Sequence, residues 1–246
     1  MGTKIEWTEE TWNPITGCTK CSDGCLNCYA ASFAKRLKAM GNARYANGFQ
    51  VTVHRDLFNK PLQWTKPKMI FVNSMSDIFH DDVPEKDILD LFRVMNQAKQ
   101  HTFQVLTKRS ERLMHLSSKI EWTDNIWMGV SIENKQVLYR ADHLRASGAK
   151  IKFISAEPLL ESISTIDLSG IDWLIVGGES GQKSRPLKEE WVVELRDIAL
   201  EEGIAFFFKQ WGGLNKKKKG YMLQGKCYRE YPNAFKRKLI SFESTQ

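Results

Sequence analysis

Trp173-Leu174-Ile175-Val176-Gly177-Gly178-Glu179-Ser180-Gly181 is the stretch on which the fold turns. Four consecutive apolar residues run without the alternation of a half-wet strand and then stop at two glycines and an acid, which predicts a strand buried on both faces, as in a parallel sheet. The same pattern recurs at residues 69–72, 103–106, 126–130, 151–154 and 205–208, with weaker candidates at 11–15 and 49–53. The segments between carry helical spacing. Ile88, Leu91, Phe92 and Met95 mark a helix over 87–100; residues 137–147 are similar, with Gly148 as a stop. Trp191, Val192, Leu195, Ile198 and Ala199 mark a helix over 189–202 that ends at Gly203. Alternating strands and helices predict an α/β chain, a complete or partial (β/α) TIM-type barrel over residues 1–213, with an open doubly wound sheet as the alternative. From Leu214 the rhythm stops, so residues 214–246 read as a basic C-terminal extension.

In a barrel, the residues just past each strand gather on one rim, where active sites are built. Those residues are Asn73, Ser74 and Asp77, then Lys108 and Arg109, then Ser131 and Glu133. They continue with Ser155 and Glu157, with Gly177, Gly178 and Glu179, and with Lys209 and Trp211. Some of them serve as helix caps, and Pro158 fits a first helical turn. Three acids at matched positions, Glu133, Glu157 and Glu179, point beyond caps to a rim that holds polar or cationic groups.

Composition excludes other classes. Eight Trp and thirteen Phe in 246 residues are not those of a disordered chain, and 16 Gly with 7 Pro are not collagen-like. Lys+Arg exceed Asp+Glu by 36 − 29 = 7. Lys216–Lys219 and Lys236-Arg237-Lys238 are local runs, read either as solvated loops or as a phosphate-contacting arm. No apolar run approaches the roughly 20 residues of a spanning helix, and the start lacks an export signal, so a cytoplasmic protein is expected.

Four of the five cysteines fall in eleven residues, Cys18-x2-Cys21-x3-Cys25-x2-Cys28, with Gly17 and Gly24 allowing the backbone to wrap closely and a helix expected from Tyr29 to Met40. In a reducing compartment such a cluster points to metal or redox chemistry. Three thiolates on a tight loop suit a [4Fe–4S] cluster with one open iron, and Cys21-x3-Cys25-x2-Cys28 has radical-SAM spacing. A zinc ion closed by all four thiolates is the alternative, although a three-residue gap is cramped for two opposed knuckles. Cys227 is isolated.

Residues 12–30, 71–79 (FVNSMSDIF), 103–113 (FQVLTKRSERL), 129–134 (GVSIEN), 155–160 (SAEPLL), 173–181 and 206–213 (FFFKQWGG) together resemble a radical-SAM-like family with a three-cysteine motif, associated with phages and prophages. The resemblance implies cluster ligands at Cys18, Cys25 and Cys28, whereas generic spacing favours Cys21 over Cys18. It implies a [4Fe–4S] cluster and S-adenosyl-L-methionine as cofactors, a 5′-deoxyadenosyl radical as the reactive species, and a reductant protein such as a flavodoxin or ferredoxin as partner. Two features depart from radical-SAM habit: Asn27 stands where an aromatic commonly precedes the last cysteine, and Gly177-Gly178-Glu179 comes late in the chain.

Asn73, Ser74, Asp77, Ser131, Glu133, Glu157, Gly177, Gly178 and Glu179 are the candidate cofactor contacts. Lys108, Arg109, Arg185, Lys209 and Trp211 are the candidate contacts to an anionic substrate, Arg by bidentate phosphate binding and Trp by stacking. Basic charge and the resemblance point to a nucleic acid or nucleotide, in modification or repair such as photolesion reversal. The rival readings are a non-catalytic zinc-stapled nucleic-acid-binding protein and a radical-SAM enzyme acting on a peptide.

Overall fold

The computed structural model describes residues 3, 5–214 and 220–232; the runs Lys216–Lys219 and Lys236-Arg237-Lys238 lie outside the described residues. Strands β1 (Glu10–Trp12), β4 (Met69–Val72), β5 (Thr102–Thr107), β6 (Ile126–Ser131), β7 (Ile151–Ala156), β8 (Trp173–Gly177) and β9 (Ala205–Gln210) form one all-parallel sheet in that order. Its two edge strands, β1 and β9, do not pair with each other, so the sheet curls into a half-barrel, the partial form of the expected TIM-type architecture. Of the two weaker strand candidates, one supplies β1. The other supplies β3 (Thr52–Val53), which pairs antiparallel with β2 (Ile15–Thr16) outside the barrel.

Burial on both faces accounts for the apolar runs. All residues of β4, β6 and β8 are buried. The concave face is filled by Trp7, Met69, Phe71, Trp127, Phe153, Trp173, Ile175 and Phe207. Each such aromatic taken out of water contributes roughly 1.5–3 kcal/mol. The convex face is covered by α2 (Glu85–Gln97), α3 (Ser110–Leu116), α4 (Arg140–Arg145) and α5 (Glu189–Glu201). In α2 the stripe Ile88, Leu91, Phe92 and Met95 is buried, and Glu85 and Asp87 sit in the first turn, where negative charge suits the helix dipole.

Two expectations are corrected. No helix joins β7 to β8: the connection is irregular and seats Leu159, Ile163, Ile166, Leu168 and Ile171 on the core. Pro158 follows a cis peptide after Glu157 rather than opening a helix, and the Leu159 amide donates to the Gly177 carbonyl at 3.0 Å. The helix expected over 137–147 is a 3-10 turn, Lys135–Val137, followed by the short α4.

Beyond β9 lies a hairpin, β10 (Met222–Leu223) with β11 (Lys226–Cys227). The chain after it runs antiparallel along β9: the Phe208 amide donates to Tyr228 O at 2.9 Å and the Glu230 amide to Phe206 O at 3.1 Å. A free sheet edge is thereby covered. Among the described residues no helix is long and apolar enough to cross a membrane.

Gly129 marks a tight contact inside the sheet. A Cβ there would lie 2.4 Å from the fully buried Phe153 ring on the neighbouring strand. Gly129→Ala is expected to destabilise the fold by about 1–3 kcal/mol through overpacking, read as a melting temperature lowered by several degrees; an unchanged melting curve would contradict this packing.

Candidate functional site at the carboxyl rim of the half-barrel

The loop with the cysteines leaves the rim directly after β1 and β2 and ends at α1 (Tyr29–Ala39). Gly17 has φ +87, and a Cβ there would sit 2.1 Å from the Gln50 carbonyl oxygen, so only glycine fits. The Gly17 amide donates to Met75 O at 3.0 Å and the Cys18 amide to Phe49 O at 3.1 Å, which ties the start of the loop to the segments after β4 and before β3.

The remainder of the loop and the start of α1 are held by groups from the ends of four strands. From β5, Arg109 donates to Thr19 O at 3.1 Å and to Cys18 Sγ at 3.5 Å, and it pairs with Asp77 at 3.4 Å. From β6, Glu133 accepts from the Gly24 amide at 3.3 Å, and Asn134 donates to Asp23 Oδ2 at 3.1 Å. From β8, Glu179 accepts from Asn27 Nδ2 at 3.0 Å, and Arg185 donates to Asp23 O at 3.0 Å. From β4, the Ser74 carbonyl accepts from Tyr29 Oη at 2.7 Å.

Glu133 is fully buried and pairs with Arg140 at 3.0 Å; Arg140 also donates to Ser131 O at 2.9 Å. Asp77 accepts from Thr107 Oγ1 at 2.7 Å and from the Lys108 amide at 3.0 Å. Burial alone would raise the Glu179 carboxyl, but donors from the Arg185 side chain and backbone and from Asn27 outweigh it and hold the group below the usual carboxylate range. Burial pushes the Cys18 thiol up to about 11, reinforced by Asp77 and opposed by Arg109. Cys21 and Cys25 lie 3.9 Å apart, sulfur to sulfur; their hydrogen bond raises Cys21 and lowers Cys25.

The residues singled out from the sequence fall into several sets. Asp77, Arg109, Glu133, Glu179 and Arg185 converge on the cysteine loop as just described. Lys209 and Glu157 pair with each other at 3.1 Å, with Ser155 donating to Glu157 at 3.3 Å. A Cβ at Gly177 would lie 2.5 Å from Glu157 Oε1, and one at Gly178 would lie 2.2 Å from the Trp211 carbonyl oxygen, so both glycines admit close neighbours. Asn73 accepts from the Ile15 amide at 3.3 Å, while Ser74 Oγ donates to Asn13 at 3.1 Å. Trp211 is turned onto Phe208 and donates to Met222 O at 2.9 Å. Cys227 sits exposed on the hairpin.

Arg140 and Thr19 were not foreseen. An arginine on a helix whose neighbours Ala141 and Leu144 are buried is the signal that was available for Arg140, since such a charge needs a buried partner.

The donor types at the rim are those that a thiolate-bound cluster with a polar ligand beside it would take. Four thiols lie on one loop, Arg109 supplies a cation to Cys18 Sγ, and two buried rim atoms, Asn73 Nδ2 and Asn134 Oδ1, have no hydrogen-bond partner among the described residues. Among the described residues, no three of His, Cys, Asp and Glu are gathered as metal ligands.

Removing one member of the Glu133–Arg140 pair leaves a buried charge. Arg140→Met is expected to cost roughly 3–5 kcal/mol in urea unfolding, and Glu133→Leu combined with Arg140→Met should recover most of that loss. Hydrogen exchange separates stability from loop position: the double variant, refolded, should still show faster exchange at the Gly24 amide. Unchanged exchange there would mean that Glu133 does not hold the loop.

No curated protein matches the sequence. Solved structures similar to this chain include a spore photoproduct lyase variant with dinucleoside spore photoproduct (14% identity, 98% of this chain and 76% of that one, TM-score 0.53). A second variant of spore photoproduct lyase is similar at 14% identity over 99% and 74% of the two chains, TM-score 0.51. Spore photoproduct lyase complexed with the dinucleoside photoproduct is similar at 15% identity and TM-score 0.50; there the match covers 82% of this chain and only 63% of the other. At such identities the likeness is one of fold. A family described as "Protein of unknown function (DUF5131)" matches residues 2–232, and the chain belongs to that family.

Proposed function

We propose that the protein is a radical S-adenosylmethionine enzyme that carries a [4Fe–4S] cluster on the 18–28 loop and acts on a nucleic acid or nucleotide. The observation that carries this reading is the seat of the loop. Four thiols stand at the carboxyl rim of a parallel half-barrel, held there by Arg109, Glu133, Asn134, Glu179 and Arg185. The fold shared with spore photoproduct lyase, solved with a dinucleoside photoproduct, and the excess of seven positive charges support the substrate class.

Cys18, Cys25 and Cys28 are the proposed iron ligands, with Cys21 as the alternative to Cys18. The Arg109 guanidinium on Cys18 Sγ is the charge-assisted contact that a thiolate ligand needs. When bound, the cluster and S-adenosylmethionine supply a 5′-deoxyadenosyl radical by one-electron cleavage of the sulfonium. This chain's residues orient and shield. The orphaned amide groups of Asn73 and Asn134 offer a donor and an acceptor to a polar ligand at the rim. Ser74, Asp77, Ser131, Glu157, Gly177, Gly178 and Glu179 border the same rim. Of the four cations singled out at the rim, Lys108 is the one that forms no ion pair among the described residues, so of those four it is the most available to an anionic substrate. A small flavodoxin or ferredoxin is the proposed electron donor, in a reducing compartment.

Anaerobic reconstitution with iron and sulfide, followed by metal analysis and a dithionite assay for 5′-deoxyadenosine, tests this. About four irons per chain are expected, with nucleoside formed on adding S-adenosylmethionine. Cys18→Ala should lose the iron that Cys21→Ala keeps; the reverse would move the ligand to Cys21. One zinc per chain and no nucleoside product would replace the enzyme with the zinc-stapled binding protein.

A further inference from the structure

The proposed substrate carries phosphates, yet three of the four cations singled out at the rim are already neutralised. Arg109 pairs with Asp77, Arg185 with Glu179, and Lys209 with Glu157. A nucleic acid needs other cations, and the chain concentrates them next to the cysteine loop. Between Asp23 and Asp56 no Asp or Glu occurs, while Lys35, Arg36, Lys38, Arg44 and Arg55 supply five positive charges. Arg44 and Arg55 are paired with Asp56 and Asp87. Lys35, Arg36 and Lys38, all exposed on α1, form no ion pair among the described residues.

The same helix exposes apolar rings. Ala30 and Ala34 seat its inner face on Tyr45 and Met75. On the outside, Tyr29 is 54% exposed, Phe33 45% and Met40 69%. At 3.6 residues per turn, Tyr29, Phe33, Arg36 and Met40 fall within an arc of about 60°. This stripe begins at the rim, where Tyr29 Oη is bonded to the Ser74 carbonyl, and runs outward along α1. Aromatic rings interleaved with unpaired cations are what a single strand uses, bases stacking on rings and phosphates meeting Lys or Arg.

We propose that the outer face of α1 is the track for an unpaired stretch of nucleic acid, with Phe33 stacking on a base, Arg36 and Lys35 meeting phosphates, and Tyr29 standing where the strand enters the rim. This deepens the substrate class proposed above and rests on it. A second copy of this chain is the other occupant such a stripe can take, but clustered like charges disfavour that pairing.

The test uses the full chain, reconstituted, and a fluorescein-labelled 20-nucleotide oligo-dT followed by anisotropy over a range of salt. Lys35→Gln with Arg36→Gln should weaken binding at least tenfold and reduce the slope of log affinity against log salt by about 1.4, two single-strand phosphate contacts. Phe33→Ala should weaken it about tenfold with the slope unchanged. Lys99→Gln with Lys150→Gln, the same charge change on exposed residues elsewhere, should leave both unchanged. If wild type binds but the α1 variants match that control, this surface is wrong while the nucleic-acid reading stands. If wild type binds no strand, the substrate class fails and the track fails with it. A wild-type dimer that Phe33→Ala converts to monomer would assign the stripe to self-association and overturn the proposal.

Discussion

Glu133 is closed off from solvent between the Arg140 guanidinium and the Gly24 amide. An isolated carboxylate there would be too costly to keep ionised; paired and hydrogen-bonded, it becomes a fixed post. One oxygen faces the helix that packs outside the sheet, and the other faces the cysteine loop. The loop is thus tied to the barrel wall at its midpoint, while Arg109 on one side and Glu179 with Arg185 on the other fix its flanks. A loop of eleven residues with two glycines has ample freedom to wander; these contacts remove most of it.

The arrangement also explains why the rim is crowded with charge yet nearly balanced. Asp77 with Arg109, Glu157 with Lys209 and Glu179 with Arg185 are pairs in which each member neutralises the other. Their hydrogen bonds position the loop and the strand ends rather than attract a distant anion. Attraction at long range is left to cations without such partners, among them Lys108 at the rim and Lys35, Arg36 and Lys38 beside it on α1.

Much of the fold was legible because parallel strands buried on both faces lose the alternation that a wet face imposes; residues 69–72 and 173–176 are such runs. Helices α2 and α5 were legible from their apolar stripes. The opening of the barrel was not, since whether β1 meets β9 depends on how far the whole sheet curls, which no local pattern encodes. The irregular β7–β8 connection was hidden because its buried Leu159, Ile163 and Ile166 keep near-helical intervals although the backbone between them is turns. At the site, the rim positions of Asp77, Arg109, Glu133, Glu157 and Glu179 follow from strand ends alone. Their partners do not: the pairing of Glu133 with Arg140, or of Glu179 with Asn27, joins segments that only the folded chain brings together. The end of β9 placed Trp211 near the rim, but the direction of its ring depends on residues 220–223, which no local pattern shows.

Electron paramagnetic resonance of the reconstituted, dithionite-reduced protein bears most directly on the central claim, that the tethered loop presents three thiolates and leaves one iron open. The expected spectrum is that of a reduced four-iron cluster whose signal changes shape when S-adenosylmethionine is added, because the cofactor occupies the open iron. A signal indifferent to S-adenosylmethionine, or a silent protein with all four thiols closed around zinc, would contradict it.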